Sequence, residues 1–257
     1  MTMTPPSLAD QLAALGLRDT AAHRNDRIAR ATTHRWSVTQ LLEHVVQQEH
    51  AARARRGLER RLPCAHLGRF TPMADFDWTW PTRIDRAAVE AALPLDFLAE
   101  TRNVVLVAPQ GLGKTMIAQH IGHQAVLAGH SVRFVSASQL LLDLAAQDSA
   151  RALDRRLRFS GSRTSLLVLD EIGYLSSESR TADLLFQVIS RRHEKRSLLL
   201  TTNLAFRDWP TICPNAGSAI ALIDRIVHHA DILAIEGESD RRRVAEQSRA
   251  TKRAPKA

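Results

Sequence analysis

An apolar run, Val104 to Val107, leads directly into Ala108-Pro109-Gln110-Gly111-Leu112-Gly113-Lys114-Thr115-Met116. The run reads as a buried strand, and two glycines before a lysine and a threonine read as a turn that opens a helix. Such a turn aims several backbone N–H groups at one point, and the helix adds the positive end of its dipole. The point suits phosphate oxygens. Pro109, Gln110, Gly111, Leu112, Gly113, Lys114, Thr115 and Met116 are therefore the candidate nucleotide contacts. Lys114 supplies a mobile cation for the outer phosphates, and the Thr115 hydroxyl a ligand for Mg²⁺.

A second apolar run, Leu166 to Leu169, ends in Asp170-Glu171. A buried strand ending in two carboxylates offers Asp170 to hold Mg²⁺ and Glu171 to orient an attacking water. A glycine-rich turn before a helix is common on its own. Joined to this acidic strand end, it predicts ATP and Mg²⁺ as ligands and hydrolysis as the chemistry. One position departs from the G-x-x-x-x-G-K-[ST] pattern, because Ala108 replaces its first glycine. A methyl group is tolerated there at negative φ and strained at positive φ, where it would weaken nucleotide binding.

Around these segments apolar strands and helical stretches alternate. Strands are expected at 103–108, 131–136, 165–170, 197–202 and 231–235, and helices near 85–99, 114–128, 138–147, 180–195 and 218–229. Five short apolar strands with helical crossovers predict an α/β fold: a mostly parallel, five-stranded sheet covered on both faces, with the ligand at the strands' C-terminal edge. Residues 7 to about 62 read instead as helices. Ser7 with Asp10 and Ser37 with Gln40 have capping-box spacing, and Leu41, Leu42, Val45 and Val46 give an apolar stripe. The expected organisation is a helical N-terminal module over 1–66, a linker over 67–84 containing Phe70, Phe76, Trp78 and Trp80, a nucleotide domain over 85–240, and a basic tail over 241–257.

Formal net charge is +8, which favours a polyanionic partner. Arg53, Arg55, Arg56, Arg60 and Arg61 form one cluster and are the candidate DNA contacts; Arg241, Arg242, Arg243, Arg249, Lys252, Arg253 and Lys256 form another. The competing expectation is a solvated helix face and a disordered tail. No run reaches the ~18 to 20 apolar residues of a membrane helix. The start MTMTPPSLAD lacks the basic and apolar regions of a secretory signal. Only Cys64 and Cys213 are present, without C-x-x-C spacing, which fits a reducing cytoplasm and argues against a zinc site. His228-His229 has no Cys or carboxylate at ligand spacing and is read as helix surface or core.

Two further positions would complete a hydrolytic site. Asn203 follows the apolar strand 198–202 and would emerge beside Asp170, placed to sense the γ-phosphate; its alternative is to cap the next turn. Arg225, on the helix near 218–229, would reach the nucleotide of a neighbouring subunit; its alternative is a surface pair with Asp224 or Asp231. Arg191 and Arg192 are weaker candidates for that finger.

The segments Asn103 to Thr115, Leu166-Leu-Val-Leu-Asp-Glu-Ile-Gly-Tyr-Leu175, Leu185 to His193, Thr202-Asn203 and Leu222 to His229 with Gly237-Glu-Ser239 together resemble the IstB family. These are helper ATPases of bacterial insertion sequences, related to DnaC helicase loaders and to the initiator clade of AAA+ proteins. The resemblance implies an AAA+ three-layer core and an ATPase that binds duplex DNA with little sequence preference. It further implies self-association with ATP, bending of the DNA and activation of a partner transposase. On this resemblance Lys114 and Thr115 serve phosphates and Mg²⁺, Asp170 holds Mg²⁺, Glu171 positions water, Asn203 is the sensor and Arg225 the finger in trans. Asp240 stands where the family usually has Tyr. A helicase loader, or an adaptor gated by nucleotide with little hydrolysis, are the alternatives the sequence leaves open.

Overall fold

The computed structural model describes residues 6–69, 71–174, 179–211 and 216–237. Phe70, Leu175, Cys213, Ser239, Asp240 and the basic tail lie outside the described residues. Contacts divide the chain into two compact units, 1–60 and 61–257.

The first unit contains helices α1 (Leu8–Ala14) and α2 (Arg18–Thr33) and most of α3 (Val38–Ala65). Both capping boxes form. Asp10 N–H donates to Ser7 Oγ at 3.3 Å and Ser7 N–H to Asp10 Oδ2 at 3.1 Å. Gln40 N–H donates to Ser37 Oγ at 3.2 Å and Ser37 N–H to Gln40 Oε1 at 2.8 Å. The expected apolar stripe is only half covered, since Leu42 and Val46 are exposed. Charge sits inside instead. Glu49 accepts from Thr20 N–H at 2.9 Å and from Arg56 at 3.1 Å, and Arg27 joins Thr20 Oγ1 at 2.9 Å and pairs with Asp19.

The second unit is built on one sheet of strands β1 (Arg83–Ile84), β2 (Asn103–Val107), β3 (Val132–Ser136), β4 (Leu166–Asp170), β5 (Ser197–Thr202) and β6 (Ala230–Glu236), in the order β1-β6-β2-β5-β4-β3. Five strands are parallel and β1 pairs antiparallel with β6. The expected count of five thus becomes six among the described residues, because a two-residue edge strand carries no readable period. The remaining helices are α4 (Arg86–Ala91), α5 (Asp96–Ala99), α6 (Lys114–Leu127), α7 (Ala137–Ala145), α8 (Ala150–Ser162), α9 (Ser179–Arg192) and α10 (Ala216–Val227). The single helix expected over 85–99 is broken between α4 and α5, where Pro94 disfavours helical φ/ψ at the residue before it and Leu95 turns left-handed at φ +71°. Helix α8 is an addition. Its buried stripe is little more than Leu153 and Leu157 among arginines, too thin a pattern to read.

Strand alternation sets the layers. Val105, Leu167, Leu169, Leu198 and Leu200 face one way and pack against α7, α8, α9 and α10. On the opposite face Gly122 of α6 lets the helix approach Val168 and Val132. The register places Val107 beside Thr202 in the β2–β5 pair and Leu169 beside Leu200 in the β4–β5 pair. Strand β5 therefore stands between the two strands that end in the candidate site.

Candidate functional site

At the C-terminal edge of the sheet, β2 opens into the glycine loop, β4 ends at Asp170 and β5 leads to Asn203. Gly111 and Gly113 have φ of +78° and +80°. At Gly113, the N-cap of α6, a Cβ would also stand 2.4 Å from Phe76 Cε2. Backbone and packing thus both require glycine there. Ala108 is not among the positive-φ residues; it is buried, and its N–H donates to Thr202 O at 3.1 Å. Its methyl group introduces no strain, so the weakening expected from a strained alanine has no basis here.

Lys114 Nζ donates to Ala108 O at 2.6 Å and Pro109 O at 2.7 Å, folding back over its own loop. Thr115 Oγ1 donates to Asp170 Oδ2 at 3.0 Å. Thr201, fully buried at the end of β5, donates its hydroxyl to Asp170 Oδ1 and accepts Glu171 N–H at 2.9 Å. One hydroxyl therefore fixes both acidic residues, a position that sequence reading passed over although Thr201-Thr202 ends an apolar strand. Glu171 is exposed, with φ +62°, a left-handed conformation that a side chain rarely adopts. That turn separates the two carboxyl groups, Asp170 inward and Glu171 outward.

Asn203 lines the same cavity. The turn after β5 is capped by Thr202, whose Oγ1 accepts Leu204 N–H at 3.1 Å. The Asn203 amide oxygen is buried with no hydrogen-bond partner among the described residues, and it stands 1.9 Å from where a Cβ on Gly173 would be. The glycine of Asp-Glu-Ile-Gly is thus the space the Asn203 amide needs. The cavity, about 420 Å³, is also lined by Asp75, Phe76, Asp77, Trp80 and Pro81 together with Gln110 to Met116 and Glu171. Phe76 packs against Trp78 with ring centroids 4.8 Å apart, and Arg86 stacks on Trp78 at 4.8 Å. These aromatic walls carry no spacing signal in the sequence.

The groups present match the ligands expected: loop amides at a helix N-terminus and a lysine for phosphates, and a hydroxyl facing a buried carboxylate for a hard dication. Other expected residues lie elsewhere. Arg225 does not line the cavity. It donates to Ser190 Oγ at 2.5 Å and stacks on Phe186 at 4.3 Å, both on α9, and Asp231 pairs with Arg102 rather than with Arg225. Arg191 pairs with Asp154 at 2.7 Å. Arg192 is fully buried and donates to Gly161 O, Thr164 O, Ser165 O and Ser197 O. Burial, with Arg196 nearby, pushes its guanidinium down to about 9, which leaves it charged at neutral pH. It is an internal clamp, so the reading of Arg192 as a finger is corrected.

The first arginine cluster is divided. Arg53 and Arg56 turn towards Glu49, Arg55 pairs with Glu59 at 3.8 Å, and Arg61 donates to Val126 O at 3.4 Å. Arg60 is exposed, with no ion pair among the described residues. The expectation that His228-His229 lacks a carboxylate is also corrected, because the fold brings Glu194 beside them.

The family model for IstB-like ATP binding proteins matches residues 10–248. The chain belongs to the IstB family. Among its IstB relatives, the ATP-binding protein of insertion sequence IS21 of Pseudomonas aeruginosa is 36% identical over 230 residues, covering 90% of this chain and 86% of that one. The counterpart from insertion sequence IS5376 of Geobacillus stearothermophilus is 32% identical over 213 residues, covering 83% and 84%. Domain III of the Thermotoga maritima replication initiation protein DnaA superposes with a TM-score of 0.52 at 16% identity, over 74% of this chain and 79% of that one. That likeness shows the fold, an AAA+ P-loop α/β architecture. IstB membership implies the nucleotide handling typical of such ATPases. Among the described residues no helix is long and apolar enough to cross a membrane.

Proposed function

We propose that this chain is an ATP-hydrolysing transposition helper that assembles on duplex DNA, remodels it and activates a partner transposase, with hydrolysis releasing the assembly. The observation that carries the hydrolytic part is the Thr115–Asp170–Thr201–Glu171 chain of hydrogen bonds, whose end members Thr115 and Glu171 line the cavity. Lys114 and the loop amides neutralise phosphate charge, with Lys114 exchanging its two carbonyl partners for phosphate oxygens. Thr115 and Asp170 would hold Mg²⁺, which would supply positive charge to the outer phosphates. Glu171, turned outward, orients and deprotonates the attacking water. The Asn203 amide senses the γ-phosphate, and Arg225, half-buried on α10, serves the nucleotide of the next subunit. Arg55 and Arg60, with the basic tail, contact DNA phosphates without reading bases.

The test is ATP turnover with and without duplex DNA of random sequence at two salt concentrations, with Glu171→Gln and Arg225→Ala alongside. The expected result is stimulation by DNA that falls with salt and disappears in Arg225→Ala, and turnover at least ~100-fold lower in Glu171→Gln. Parental turnover in Glu171→Gln removes its catalytic role. Turnover that ignores DNA and tolerates Arg225→Ala removes the finger in trans and the remodelling. DNA affinity raised equally by ATP and a non-hydrolysable analogue, with no phosphate release, identifies a nucleotide-gated adaptor instead.

A further inference from the structure

The edge of the sheet opposite the nucleotide cavity carries ligating side chains that the proposed function does not use. Helix α9 enters β5 through a turn that contains His193 and Glu194, and α10 enters β6 through His228 and His229. Ligand atoms of Glu194, His228 and His229 lie within 4.8 Å of one another, and all three residues are exposed. The His228 and His229 rings meet edge to face with centroids 4.3 Å apart, and His193 lies 6.0 Å from His228. His193 Nε2 stands 3.9 Å from Glu194 Oε1.

We propose that Glu194, His228 and His229 form a site for a transition-metal dication of the zinc class, completed by water. Two imidazoles and one carboxylate suit zinc and its neighbours rather than magnesium or calcium, which prefer oxygen alone. Donors at 2.0–2.2 Å from a tetrahedral ion stand about 3.4 Å apart, so side chains within 4.8 Å close the gap by rotation.

The backbone beneath these side chains is already fixed. Lys195 and Arg196 N–H groups both donate to Arg192 O, at 2.8 and 2.9 Å, closing a turn in which Glu194 has φ +56°. A left-handed glutamate occupies a place that glycine would fill without strain. On the other side His229 O accepts from Asn103 N–H at 2.7 Å. The buried Asn103 side chain donates to Ile226 O and accepts Leu198 N–H, so one asparagine ties the start of β5 to the end of α10. The carbonyl ends of α9 and α10 add a negative dipole favourable to a cation. Arg225 lies one turn before His228, so a bound ion would brace the helix that carries it.

The test uses the untagged full chain with Co²⁺ as spectroscopic probe and Zn²⁺ as competitor. The expected result is saturable uptake of one Co²⁺ with visible d–d bands, displacement by Zn²⁺ and a raised melting temperature. Glu194→Gln and His229→Ala, at exposed positions, should each weaken uptake at least about tenfold while keeping the parental circular dichroism. Asp170→Asn, at the other edge of the sheet, should retain it. Absence of saturable uptake, or uptake lost in Asp170→Asn and kept in both ligand variants, overturns the proposal.

Discussion

The two units of the chain bury different kinds of group. In residues 61–257, β2, β4 and β5 carry apolar runs with essentially no exposure, and the polar groups among them, Asn103, Asp170, Arg192 and Thr201, are hydrogen-bonded hubs. In the described part of residues 1–60, the buried residues are Thr20, Ala21, Arg27, Ala31, Glu49 and Ala52, with no large apolar side chain among them, while Val38, Leu42 and Val46 face outward along α3. A fully buried aliphatic side chain contributes roughly 1.5–3 kcal/mol. The sheet unit therefore has the rigidity to hold two carboxyl groups in place. The helical unit depends on one polar network and should open first.

The largest test of that contrast is Arg192→Ala, which leaves several buried carbonyl groups without a donor and should cost about 3–5 kcal/mol in urea unfolding. A cost below about 1 kcal/mol would mean that the apolar sheet alone holds this edge. Next comes Gly113→Ala, which meets both the +80° backbone and the Phe76 ring. It should lower stability by about 1–3 kcal/mol and abolish nucleotide binding in calorimetry. Adding Phe76→Ala should restore part of the stability, separating the clash from the backbone strain. In the helical unit Glu49→Gln should cost about 2 kcal/mol and leave nucleotide affinity unchanged.

Acid sharpens the same comparison. Burial would raise the Glu49 carboxyl, but hydrogen bonds from Thr20 and the Arg56 guanidinium outweigh it and hold the group below its ordinary value of 4.5. Its contribution is whole above that value and is lost as pH falls through the lowered folded one. Circular dichroism below about pH 4.5 should therefore show helix loss before the tryptophan signal of buried Trp209 changes. Smallest of all, Leu42→Ser with Val46→Ser should stay within about 0.5 kcal/mol, since both side chains are exposed in the structure.

The five parallel strands were legible because each is an apolar run long enough to be unambiguous, and their ends carried Lys114, Thr115, Asp170, Glu171 and Asn203 with them. What escaped notice depends on partners distant in sequence. Thr201 matters because Asp170 and Glu171 converge on its hydroxyl, and Gly173 because the Asn203 amide fills its side-chain space. Arg192 reads in the sequence, with Arg191, as a weaker candidate for the finger, yet its acceptors come from the end of α8 and the starts of β4 and β5. Glu194 reaches the histidine pair only through the sheet order. Short β1 and arginine-rich α8 lacked enough apolar period to register.

The position of β5 also bears on how the chain is made. Strands β2 and β4 emerge early in synthesis but do not pair with each other; each pairs with β5, which begins at Ser197. Until the ribosome has passed that point, two apolar strands have unpaired edges and Thr115 has no frame holding it against Asp170. A nascent chain stopped short of β5 would carry both halves of the phosphate site and still possess no site, so nucleotide can stabilise only molecules whose synthesis has passed β5.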